Sequence, residues 1–242
     1  MTLCYSKVFL RLHWGYAIRK RTTKAKPAFL LPPPTTLIGA LSFYRYRGIE
    51  NVLFNKKSIE SPAFYLKGVK ATAKLSSFAS YVEDIIRNVI FIYQRKERQL
   101  DPLSRYNIIS EGKVYSPGGM LIVVYIANTL AKEELEKMSW SIARIGSKES
   151  VVSVEDVEVG EASKVSGVIE TDYYFPATVS VVEKEEFINL VPFWDEKAYI
   201  FDQDAKKEAY MLPLRSYPII STKVKVNAKE AYKVGDEYVV FA

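Results

Sequence analysis

The side chains able to do chemistry in this chain are cations and aromatics, not nucleophiles. Its 242 residues include one histidine, His13, and one cysteine, Cys4. Tetrahedral zinc sites draw on several such ligands, so a structural zinc centre is not expected. A Ser-His-Asp triad would have to use His13. So would a metal-independent ribonuclease that deprotonates a 2′-hydroxyl, with Tyr5, Lys7 and Arg11 on the same strand face. The chain holds no second histidine to act as partner acid. A lone histidine on a strand is ordinarily structural or simply exposed, so no enzymatic activity is expected; the endoribonuclease is the alternative.

The cations are arranged differently. Arg19, Lys20, Arg21, Lys24 and Lys26 fall within eight residues that contain no acid. A phosphate backbone is held by diffuse positive charge on long side chains, and arginine can grip phosphate with two parallel hydrogen bonds. Further on stands Tyr44-Arg45-Tyr46-Arg47, where aromatics that can stack on unpaired bases alternate with guanidinium groups. The competing reading puts Tyr44 in the core and makes Arg45 and Arg47 surface charges that complement a helix dipole. Between these segments lies Pro32-Pro33-Pro34-Thr35-Thr36. Three prolines stop any regular element, and Thr35 or Thr36 then caps a helix running through Arg47, ended by Gly48. Backbone N–H groups at 36–38 would point outward as an anion site, and Gly39 would let another backbone come close. The competing reading is that the prolines simply aim the helix and Gly39 relieves packing, and the two are compatible.

Two glycine turns, Ser116-Pro117-Gly118-Gly119 and Ile145-Gly146-Ser147-Lys148-Glu149-Ser150, are weaker signals. The first has no Walker or dinucleotide spacing, and no cofactor is expected. Beside the second, Arg144 and Lys148 are within reach of RNA. Charge supports the same division. Residues 1–59 hold 11 Lys/Arg against one acid, Glu50, whereas residues 131–242 hold 14 basic and 21 acidic residues; the whole chain is +6. One end of the chain suits a polyanion and the other does not.

These side chains need a scaffold, and 48% hydrophobic content is enough for a real core. Cys4 precludes an internal disulfide, no secretory signal is visible, and the longest clean apolar run, Met120 to Ala127, is far too short to span a membrane. A cytoplasmic protein without a membrane partner is expected. Leu3 to Trp14 alternates, with Val8, Leu10, Leu12 and Trp14 on one face: a strand. Leu37, Leu41 and Tyr44 share the buried stripe of the first helix. Pro62 to Leu75 is the next strand. Residues 76–118 form an insertion, a protruding hairpin or helix. Met120 to Ala127 is a buried strand, and Asn128 or Thr129 caps a second helix with Glu133 and Glu134 in its first turn. Leu135, Met138, Ile142 and Ile145 make its core stripe, Gly146 ends it, and Val151 to Val159 is a strand. The order strand, helix, strand, insertion, strand, helix, strand is the ferredoxin-like split βαβ pattern over residues 1–160, an α+β fold. Residues 161–242 read as a smaller β-rich region, with strands at Thr178–Val182, Ala198–Phe201, Lys223–Val226 and Tyr238–Phe241 and turns at 202–204 and 235–236.

The stretch Phe29-Leu30-Leu31-Pro32-Pro33-Pro34-Thr35-Thr36-Leu37-Ile38-Gly39-Ala40-Leu41 resembles the fifth CRISPR-associated protein family, a branch of the RAMP superfamily of ferredoxin-like (RRM-like) RNA-binding proteins. The family pattern is a proline-rich turn, Pro-Thr, then a helix with a glycine; here it falls on Pro34, Thr35 and Gly39. The strand and basic loop before it are also similar, as are Ile145-Gly146-Ser147-Lys148-Glu149-Ser150 and Tyr210-Met211-Leu212-Pro213-Leu214. The archaeal type I-A branch looks nearest. The resemblance implies a non-catalytic Cascade subunit that holds the 5′ handle of the CRISPR RNA, with a thumb-like insertion at 76–118 reaching the backbone subunit and further contacts to the large subunit. It implies no small-molecule substrate. Some relatives cleave the precursor RNA with Tyr, Lys and His; Lys113-Val114-Tyr115 has no following histidine, so that activity is not expected here.

Overall fold

Strict alternation makes the first strand, β1 (Cys4–Leu12), in which Val8, Leu10 and Leu12 are fully buried. In the computed structural model, which describes residues 3–20, 27–46, 66, 68–89, 106–183, 188–194 and 207–242, β1 lies inside a four-stranded sheet. Its neighbours are β6 (Met120–Ala127) on one side and β7 (Val152–Glu161) on the other, and β3 (Val69–Leu75) pairs with the far edge of β6. The order is β3-β6-β1-β7 and every pair is antiparallel. Connections over the sheet carry α1 (Pro34–Leu41), a short α2 (Phe43–Tyr46) and α3 (Lys132–Trp140). Leu37, Ile38 and Leu41 of α1 and Leu135 and Met138 of α3 share one cluster with Val8, Leu10, Leu12, Ala73 and Val123 of the sheet. Polar pins fix both helices: the Tyr125 hydroxyl donates to the Leu37 carbonyl at 2.9 Å, and Ser6 and Ser139 hydroxyls meet at 2.7 Å.

The helices depart from the sequence reading at their ends. Pro33, not a threonine, is the N-cap residue of α1, and α1 stops at Leu41. The Ser42 hydroxyl donates to the Gly39 carbonyl at 2.7 Å, an alternative backbone partner that ends the helix early. Tyr44 therefore leaves the buried stripe and is 46% exposed. Arg47 and Gly48 lie outside the described residues. In α3 the N-cap residue is Ala131, without a side-chain cap, and the helix ends at Trp140 with Ser141 as C-cap, five residues before Gly146. Glu133 and Glu134 do occupy its first turn, and Leu135, Met138, Ile142 and Ile145 are all buried.

Between β3 and β6 the chain forms a hairpin, β4 (Ser80–Val89) with β5 (Tyr106–Tyr115), paired from Ser80↔Tyr115 to Val89↔Tyr106. The short β2 (Gly15–Tyr16) adds to its base beside Val114 and Tyr115. Only glycine fits at position 15: φ is +140°, and a Cβ would collide with the Val114 carbonyl. Beyond β7 the described chain is strand, β8 (Ser163–Thr171), β9 (Phe175–Pro176), β10 (Ser180–Val181), β11 (Ile188–Trp194), β12 (Lys207–Ser216), β13 (Ile219–Ser221), β14 (Val224–Val234) and β15 (Glu237–Val240). The expected strand at 178–182 shrinks to two residues, that at 223–226 grows to eleven, and 198–201 and 202–204 lie outside the described residues. Tyr210, Leu212, Leu214 and Ile219 join the same core as the helices.

Candidate nucleic-acid interface

A four-stranded sheet with both helices on one face leaves its other face available, and here that face carries aromatics and cations. Pairing aligns Lys70, Ile126 and Tyr5 in one row, then Thr72, Val124 and Lys7, then Lys74, Ile122 and Phe9, with Arg11 beyond. Stacking residues beside lysines would make an RNA platform. The C-terminal strands occupy it instead. Tyr173, Tyr232, Val234 and Val239 cluster with Ile122, Val124 and Ile126. Each cation meets a carboxylate. Lys74, 7% exposed, reaches Asp172 at 2.9 Å and also Glu237; Lys7 reaches Glu237 at 3.0 Å; Lys70 reaches Glu230 at 2.5 Å; Arg11 reaches Glu155 at 2.7 Å. Burial acts to raise the Glu237 carboxyl, but hydrogen bonds from Lys74, Tyr173 and Lys7 outweigh it and hold its pKa at about 2. This face is a sealed, neutralised layer.

A second surface forms where three segments meet. The first is the root of the basic loop. Its two arms pair, Lys20 N–H donating to the Pro27 carbonyl at 2.7 Å and Phe29 N–H to Ile18 at 2.9 Å. The second is the hairpin base. Arg19 pairs with the buried Glu111 of β5, and the Tyr81 hydroxyl of β4 accepts from Ala28 N–H at 3.3 Å. Lys113 lies 5.8 Å from the Trp14 ring centre, and a hydrogen bond to Asp84 raises its pKa above the usual lysine value. The third is the loop 144–150. Ser150 accepts from Ala17 N–H at 3.0 Å, Ser147 N–H donates to the Ala17 carbonyl at 3.3 Å, and the Trp14 indole donates to the Glu149 carbonyl at 2.6 Å. Gly146, at φ +83°, lies against Ile18, where a Cβ would approach to 2.6 Å. Ser147 and Ser150 hydroxyls, 2.8 Å apart, close the loop on itself.

The site residues expected from sequence divide accordingly. Arg19 and Lys20 lie on the loop root, and Arg144 and Lys148 on the loop that interlocks with it through Ala17; Arg144 and Lys148 are exposed, and neither has a carboxylate partner among the described residues. Lys20 sits 5.4 Å from the Phe29 ring centre. Arg21, Lys24 and Lys26 belong to the loop between the paired arms and lie outside the described residues, as does Arg47. Thr35 and Thr36 are half-buried in the first turn of α1, but the N–H groups of Thr36 and Leu37 already donate to the Pro33 carbonyl at 3.0 and 3.2 Å. The outward N–H groups expected at 36 and 37 are thus taken up by the turn itself. Among the described residues, nothing outside the helix's own backbone lies within 4 Å of where a Cβ on Gly39 would stand. Arg45 is committed to Glu134 of α3 at 2.6 Å, away from the loop root. His13 lies just beyond β1 rather than on it, with Nε2 2.9 Å from the Ser153 hydroxyl; Lys7 and Arg11 are engaged by carboxylates. Sequence reasoning missed Glu111, Tyr81 and Trp14, whose partners lie 53 to 135 residues away. No local pattern encodes such pairings.

Comparison with known proteins places the chain. No family model matches it. A curated protein of Saccharolobus solfataricus, CRISPR-associated protein Cas5 3, is 54% identical over 241 residues, covering 99% of this chain and all of the relative. A second from the same archaeon, CRISPR system aCascade subunit Cas5 1, is also 54% identical with the same coverage. Among solved structures, a CRISPR protein from Archaeoglobus fulgidus aligns over 98% of both chains with a TM-score of 0.56 at 22% identity, a likeness of fold. Full-length identity at this level settles the family: the chain belongs to the Cas5 family of CRISPR-associated proteins.

Proposed function

We propose that the chain is a non-catalytic RNA-binding subunit of an archaeal type I-A Cascade complex, holding the 5′ handle of the CRISPR RNA. The observation that carries the RNA reading is the junction of Arg19 and Lys20 with Arg144 and Lys148 on loops that interlock through Ala17. Segments carrying cations 125 residues apart in sequence meet there, while the cations of the sheet face are neutralised, which supports the loop junction as the RNA-facing side. The strand order β3-β6-β1-β7 with both helices on one side supports a ferredoxin-like domain over 1–160, interrupted at 76–118, with 161–242 as a β-rich addition. The hairpin β4–β5 is the thumb-like element that meets the backbone subunit, and the acidic C-terminal part faces the remaining protein partners, the large subunit among them. The cytoplasm is its working compartment. An imidazole exposed beside Ser153 and without a second histidine supports no acid–base pair.

Neutralising Arg19, Lys20, Arg21, Lys24 and Lys26 together is expected to weaken binding of repeat-derived RNA on the order of a hundredfold or more and flatten its salt dependence, without unfolding the chain. Titration of RNA across a salt series measures both. Unchanged affinity would remove the loop from the interface. Incubation with precursor RNA in EDTA should give no cleavage; cleavage abolished by His13→Ala would replace the reading with an endoribonuclease.

A further inference from the structure

Glu111 is an unexpected neighbour for a polyanion. It stands on β5 in the hairpin base, with a side chain 7% exposed. Arg19 Nε donates to Glu111 Oε1 at 2.5 Å, and Nη2 contacts the same oxygen. Arg19 itself is 42% exposed. Its guanidinium therefore has an inner edge on the carboxylate and an outer edge in solvent. A guanidinium carries five N–H donors in a fixed plane, so those turned away from Glu111 remain for a planar or tetrahedral oxyanion.

The contact is part of a clasp. Arg19 and Ala28 form an antiparallel bridge across the loop root. Ala28 N–H donates to Tyr81 on β4, and a Cβ added to Gly112 would come within 2.6 Å of Ala28 N. Both arms of the loop root thus rest on the hairpin. Coulomb repulsion alone would make a carboxylate here unfavourable to RNA.

We propose that Glu111 is a positioning residue for RNA: it holds the Arg19 guanidinium from behind so that its outer N–H donors meet one phosphate. This rests on the RNA-binding reading above. It also reverses a sign. If Glu111 only neutralises Arg19, removing its charge raises RNA affinity; if it positions Arg19, removing its charge lowers affinity.

The test uses the full chain, repeat-derived single-stranded RNA, a salt series and a thermal melt. Glu111→Gln is expected to weaken binding about five- to tenfold, the loss of one well-oriented charged hydrogen bond. The slope of log K against log salt should fall by about 0.7, the share of one phosphate on a single strand. Arg19→Gln should do the same, and the double variant should be no worse than Arg19→Gln alone. A purely structural role would lower the melting temperature and leave the slope unchanged. Equal or tighter binding by Glu111→Gln, or an unchanged slope, overturns the proposal. Should that variant be unfolded at the assay temperature, Glu111→Asp decides: it keeps the charge but withdraws it from the guanidinium, so weaker binding with a reduced slope supports the role and unchanged binding overturns it. If the unaltered chain shows no salt-dependent binding, the functional reading fails and this role with it. If it binds and only Glu111→Gln is silent, the positioning role alone fails.

Discussion

The two cation-bearing surfaces of this molecule differ in what lies across from them. On the outer face of the central sheet Lys7, Lys70, Lys74 and Arg11 each meet a carboxylate, and Tyr173, Tyr232 and Val239 fill the space an RNA base would need. At the loop junction Arg144 and Lys148 are exposed, and among the described residues Arg19 has a carboxylate, Glu111, on one side only. The same residue types serve stability in the first place and are available for binding in the second. A sheet of this topology is thus not an RNA platform by default; what packs on its open face decides. In this chain the C-terminal strands cover that face, and under the proposed function the RNA is held at the loop junction instead.

That contrast can be broken most forcefully at Lys74. Lys74→Ala takes the ammonium from Asp172 and from Glu237, which keeps Lys7; with both carboxylates partly exposed the cost is about 3 kcal/mol, the lower end for breaking a buried pair from one side. Denaturant unfolding should register the loss, while the folded fraction binds RNA as before. A drop in RNA affinity of the folded protein would mean that the face is not sealed.

A smaller effect is expected from acid. Glu237 is held at about 2 in the folded chain against an ordinary value of 4.5. A lowered carboxylate contributes stability that is complete above pH 4.5 and lost as pH falls toward 2. Melting followed from pH 7 to pH 2 should decline over that window, and Glu237→Gln should flatten the decline. A variant that loses stability with the same steepness would assign the acid sensitivity to other carboxylates.

The smallest effect is expected at Gly39. Alanine there adds helix propensity worth about 0.5–1 kcal/mol and, among the described residues, meets nothing beyond its own helix. Thermal stability should rise slightly, while RNA affinity should fall severalfold if the RNA backbone passes over this glycine. Unchanged affinity would leave α1 out of the interface.

Much of this was legible in the sequence, for reasons that differ by element. Alternation in β1 and the spacing of Leu135, Met138, Ile142 and Ile145 report burial directly, because a core face imposes its own period. The basic loop was visible as five cations in eight residues with no acid among them. The early end of α1 was not, since it depends on one serine hydroxyl choosing the Gly39 carbonyl. The exposure of Tyr44 follows from the same event. Nor could local pattern show that Lys7, Arg11 and Tyr5, grouped with His13 as a possible reactive face, are bound by Glu158, Glu155 and Glu237 or packed against residues of the C-terminal strands. Arg45 was counted with the RNA contacts, yet Glu134, 89 residues later, engages it. Ion pairs formed by tertiary packing are the part of a charge pattern that sequence does not display.

The most direct measurement is photocrosslinking of thiouridine-labelled repeat RNA to the full chain, with the attachment sites mapped by mass spectrometry. Crosslinks are expected at the loop root, Trp14 to Lys20 and Pro27 to Phe29, and in the loop Arg144 to Ser150. Crosslinks at Tyr5, Phe9 or Tyr232 would place the RNA on the sheet face and contradict the account.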